Sequence, residues 1–145
     1  MKKLKGLLLA SIVALLTTVT ASAQETTVWE IAWNFFNFRH QGLMVLTGNN
    51  NGILHVRVFD RTTGELVQDV YENVQAQNTY DGSLLQCYNP RVVRGDGHYT
   101  ADNFKFFENG TMMMMDDAGN WSYEVRLRQI INREEMDELT EQYGL

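Results

Sequence analysis

Cysteine and proline are almost missing from this chain. Its 145 residues hold one of each, Cys87 and Pro90. A single cysteine excludes an intramolecular disulfide, so an apolar core alone must hold the fold. A lone proline, with no Pro- or Ser-rich stretch, leaves no linker to divide the chain. Lysine is just as sparse, and Lys105 is the only one beyond residue 5. His40, His55 and His98 are the only histidines. They show no HxH, HxxxH or HExxH spacing, so no metal site is expected. GxSxG, P-loop and GxGxxG patterns are absent, which removes the nucleophile elbow, the phosphate cradle and the dinucleotide fold. No cofactor is expected.

The long apolar run is confined to the N-terminus. Lys2, Lys3 and Lys5 precede an apolar stretch from Leu7 to Leu16, and Ala21-Ser22-Ala23 closes it. Basic start, apolar middle and small residues at −3 and −1 make an export signal cleaved after Ala23. Thr17, Thr18 and Thr20 cut the run short of the roughly 20 apolar residues a spanning helix needs. No cysteine lies at the junction to accept a lipid. Residues 1–23 therefore read as a cleavable signal. Residues 24–145 read as a single soluble β-rich domain, periplasmic or secreted, that does not insert into the membrane after cleavage.

Cleavage also shifts the charge. The whole chain carries −6; without the three signal lysines, nine basic residues face eighteen acidic ones, a net −9. So acidic a domain repels phosphate backbones, which argues against a nucleic-acid partner.

What remains alternates. Runs with period two recur between Gly-bearing turns, the pattern of consecutive antiparallel strands. Eight are expected: Val28 to Phe38, Leu43 to Thr47, Ile53 to Phe59, Glu65 to Glu72, Ser83 to Tyr88, Tyr99 to Phe107, Thr111 to Met115 and Trp121 to Gln129. The longest loop is expected between Asn73 and Gly82, with a second irregular stretch from Arg91 to Gly97. A helix follows: Asn132 caps it, Glu134 and Glu135 suit its first turn, Met136, Leu139 and Tyr143 form one apolar stripe, and Gly144 stops it. The fold class is all-β, an up-and-down meander of about eight strands. In this length it is best closed as a small barrel with the C-terminal helix packed on it; a sandwich or an open sheet is the alternative. Early Trp, eight strands and a C-terminal helix resemble lipocalin and avidin-like barrels in outline. The Gly-x-Trp opening is absent, since Thr27-Val28 precede Trp29, and neither residue nor ligand is carried over.

Few residues carry chemistry. Met112 to Met115 put two thioethers on each strand face, and Met112 with Met114 suits an adaptable apolar site or a soft metal. A strand buried on both sides, one of them under the helix, explains the run more simply, and no other soft ligand is near in sequence. Trp29 and Trp33 share one face of the aromatic-rich first strand, either as core or as a ligand platform. Cys87, in a strand-like run, reads as a small buried hydrophobe. Asp116 to Asn120 lacks the alternating oxygens of a calcium loop and reads as a hairpin turn.

The expected function is a non-enzymatic binding or interaction module, for a small apolar or sugar ligand or for a protein partner. Trp29, Trp33, Met112 and Met114 are the candidate ligand residues. If Trp29, Trp33, Trp121, Tyr123 and Phe106 all point inward, they fill a narrow barrel and move binding to its outer face or loop ends. The rival is an enzyme assembled from distant residues around His98, with Asp96, Asp102 and Cys87. A component of an envelope assembly is the third reading.

Overall fold

A computed structural model describes residues 25–145; the expected signal, residues 1–23, lies outside the described residues. Eight antiparallel strands follow one another around a closed barrel: β1 Thr27–Phe35, β2 Phe38–Leu46, β3 Asn51–Asp60, β4 Leu66–Thr79, β5 Gly82–Arg94, β6 Asn103–Phe107, β7 Met112–Met115 and β8 Trp121–Ile130. The barrel closes where β1 meets β8, from Val28 opposite Ile130 to Ala32 opposite Arg126. A sandwich or open sheet is thereby ruled out. Helix α1, Arg133–Gln142, ends the chain. No helix among the described residues is long and apolar enough to cross a membrane.

The two-residue period decides what lies inside. Ile31, Trp33, Met44, Leu54, Val56 and Phe104 form the interior with Met112, Met114 and Val125. Trp29 meets Phe106 edge-on at 5.3 Å, and Trp33 meets Phe104 the same way at 5.2 Å. Large rings in T-shaped contact fill an eight-stranded barrel.

Alternate residues face outward, and part of that surface is covered. Val28, Leu43, Ile130 and Tyr143 make a second, external core with Met136 and Leu139. The helix begins as expected, with Asn132 accepting from the Glu135 amide at 3.1 Å. Its end is tied down by β3 and β4. The two ring nitrogens of His55 face the Tyr143 carbonyl and Asp69 at hydrogen-bond distance, and Tyr71 and Arg57 donate to the carbonyls of Tyr143 and Gln142. The helix thus covers β8, β1 and β2 rather than β7, whose outward Met113 and Met115 are only half-buried.

Several boundaries differ from the sequence reading, each for a physical reason. The aromatic run expected as one strand folds back at Phe36-Asn37, with Phe36 at φ 50°, so β2 starts at Phe38. Hydrophobic residues on both sides of that turn hide it. The expected long loop after Asn73 is strand, and Tyr80-Asp81 turns straight into Gly82. There φ is 152° and a Cβ would lie 1.9 Å from the Phe106 carbonyl oxygen, so only glycine fits. β5 runs through Pro90 because the pairing with β4 slips between Tyr71 and Asn73, and Asn89 takes φ 57°. At such a bulge proline's missing N–H costs no ladder bond. β6 starts at Asn103 rather than Tyr99, which makes 95–102 the longest connection among the described residues. Trp121, expected inside, stands half-buried opposite Met115 at a register slip in β7–β8.

Candidate functional site at the barrel mouth

One end of the barrel stays open. There the β1–β2, β3–β4 and β7–β8 turns and the 95–102 connection surround two adjoining cavities of about 510 and 480 Å³. Phe35, His40 and His98 border both. The larger one rests on Trp33, with Tyr99, Asp102 and Met114 on its sides. The interior rings below it are packed, so the mouth is a bowl above a filled core.

Local sequence builds each wall. Because β2 starts at Phe38, His40 falls on the inward face in line with Gly42 and Met44. Its ring lies flat on Trp33, with centroids 4.9 Å apart and planes 15° apart. His40 is 92% buried, and its Nδ1 has no hydrogen-bond partner among the described residues. Burial pulls its pKa down to about 4, opposed by the Phe38 backbone, so the ring is neutral at pH 7.

The connection that forms the opposite wall is pinned to β4. Gly95 takes φ 92° where a Cβ would come 2.3 Å from the Val67 carbonyl oxygen. Gln68 then donates its side-chain amide to the carbonyls of Asp96 and His98, at 2.9 and 3.0 Å. Downstream, the Tyr99 hydroxyl donates to Asp102 at 2.8 Å.

Asp102 links the mouth to a polar group in the interior. Its amide donates to Glu72 Oε1 at 3.0 Å, and its carbonyl accepts from the Cys87 amide at 2.9 Å. Glu72 is fully buried on the inward face of β4, opposite the β5 bulge, and its Oε2 has no partner among the described residues. Burial, and then the Asp102 charge, push Glu72 up to about 10. Burial raises Asp102 to about 6, against the lowering influence of Glu72 and Tyr99. The coupled pair therefore holds a proton well above the ordinary carboxylate range. Two carboxyls this close do not both ionise.

The sequence candidates divide. Trp33 and Met114 border the larger cavity. Trp29 and Met112 also point inward, but border neither cavity; they are packed deeper, around Phe106. Of the residues proposed for an enzyme, His98, Asp96 and Asp102 do gather at the mouth. His98 is held through its backbone carbonyl, and its ring makes no hydrogen bond to an acid among the described residues. Cys87 is buried, and burial with the negative charge of Glu72 and Asp102 pushes its thiol well up, which makes it a poor nucleophile. The closest His–carboxylate contact, His55 to Asp69 at 2.9 Å, belongs to the helix anchor on the outer face. Among the described residues no three metal-ligating side chains cluster.

Sequence reasoning missed His40, Tyr99 and Glu72. Glu72 left a signal: it alternates with Val70 and Val74, an acid on an apolar face. His40 was hidden by the misplaced start of β2.

Set against family models, curated proteins and solved structures, the chain matches none of them.

Proposed function

We propose that this chain is an exported, non-enzymatic binding module that takes a small ligand at the open end of its barrel. The carrying observation is the bowl itself. A cavity of about 510 Å³ sits above a packed interior, with Trp33, Phe35, Tyr99 and the neutral ring of His40 at its walls. Small-ligand sites are concave, of a few hundred Å³, with aromatic walls and a few polar groups that set orientation. Flat π-faces beside Asp102 suit a ring-bearing ligand, apolar or sugar-like. The export signal supports a ligand met outside the cytoplasm.

A thermal-shift screen of the purified mature chain against lipids and glycans tests this reading. A ligand at 100 times its Kd stabilises the fold by about 2.7 kcal/mol, well within range of detection. A binder whose shift disappears in Tyr99→Ala supports the mouth. No shift across the panel counts against it.

A further inference from the structure

The charged side chains that border the two cavities are acidic: Asp60, Asp96, Asp102, Asp116 and Asp117, with no lysine or arginine among the described residues lining either. Arg61, in the β3–β4 turn, has its guanidinium on the Phe36 carbonyl. Two of these acids also build the rim. Asp60 accepts from the Thr62 and Thr63 amides, and Asp116 from the Ala118 and Asn120 amides and the Ser122 hydroxyl. Those bonds fix the carboxylates in place without cancelling their charge. No ion pair engages Asp96, Asp102, Asp116 or Asp117 among the described residues.

Surface acids alone would be only a solvated rim. The walls add an independent observation. Trp33, Phe35 and Tyr99 line the larger cavity, so the acids stand beside a concave aromatic surface rather than on an open face. Phe35 and Tyr99 are among the lining side chains, and aromatic rings of this kind attract cations. Carboxylates focused by low-dielectric walls raise the local concentration of positive ligands.

We infer that the mouth takes a small organic cation, an amine or quaternary ammonium carried on an apolar or ring-bearing body, its charge facing Asp102 and its body against Trp33, Phe35 and Tyr99. This rests on the binding reading above and narrows it to one ligand class. An anionic ligand is excluded by the same field that attracts the cation.

Calorimetric titration of the mature chain with one ring in three charge states provides the test: benzylamine, benzyl alcohol and benzoate, at pH 7.5 and low salt. The expected order is benzylamine at least tenfold tighter than benzyl alcohol, with benzoate weakest. Added salt should weaken benzylamine alone. Asp117→Asn, an exposed change that leaves the core intact, should weaken benzylamine severalfold and leave benzyl alcohol unchanged. Benzyl alcohol or benzoate binding as tightly as benzylamine would overturn the cation inference and leave the binding mouth standing. No heat with any of the three, together with no hit among lipids and glycans, would overturn both.

Discussion

Glu72 is the residue whose chemistry departs furthest from its sequence context. It sits fully buried between Val70 and Val74 and keeps its proton at neutral pH because burial and Asp102 both disfavour its charge. The consequence for stability has a definite sign. Both carboxyls are raised, Glu72 to about 10 and Asp102 to about 6, so the folded chain holds protons that the unfolded chain has released. Stability from this pair is therefore fully present below the ordinary carboxylate range. It falls as pH rises through 6 and continues falling towards 10. Each pH unit over which one extra proton is retained is worth about 1.4 kcal/mol. Urea unfolding should show the wild type less stable at pH 8 than at pH 5 by ~2 kcal/mol or more. Glu72→Gln should remove most of that difference and be the more stable protein at pH 8. An equal slope in both would remove Glu72 from the account. The alternation of β4 carries the signal for Glu72, an acid between two valines, but the sequence reading ended the strand there and missed it. Its partner did not show, because Asp102 is thirty residues away and meets it only once the barrel has closed.

At the scale of elements, turns decide how much can be read in advance. β7 and β8 lie between Gly-marked turns, and their expected and observed bounds agree to within a residue. The helix was equally legible from Asn132, its apolar stripe and Gly144, which takes φ 66°. The Phe36-Asn37 turn has no glycine and is flanked by aromatics, so β2 and the inward position of His40 went unseen. The β5 bulge was hidden for the opposite reason, since Asn89-Pro90 looks like an end although the strand passes through it. The covering of the helix end also depends on long-range contacts. His55 stacks on Tyr71 at 4.1 Å while its two nitrogens face the Tyr143 carbonyl and Asp69. His55→Ala removes these bonds and leaves the Tyr143 carbonyl to Tyr71 alone and Asp69 to Arg57. It should cost about 1–3 kcal/mol and speed amide exchange in α1 before the barrel strands open. Uniform loss of protection across the barrel would contradict a local anchoring role.

For the whole molecule, closure of the sheet brings the large rings together inside. The packed rings from Trp29 to Phe106 fill the lower interior, and the two cavities described lie above them at the mouth. The sequence left filling of the lower interior conditional on five aromatics pointing inward; Trp29, Trp33 and Phe106 pack there, while Trp121 stands half-buried at the register slip. The bowl did not show there, because its walls come from four separate connections and one buried histidine. NMR of methionine methyl groups, with the thermal-shift hits and benzylamine added in turn, most directly tests whether that bowl is the binding site. Met114 and Met115 border it, while Met44 and Met112 lie in the packed interior and Met136 under the helix. The account predicts saturable shifts at Met114 and Met115 with little change at Met44, Met112 and Met136. Shifts centred on Met136, or none at Met114 and Met115 under saturating ligand, would contradict it.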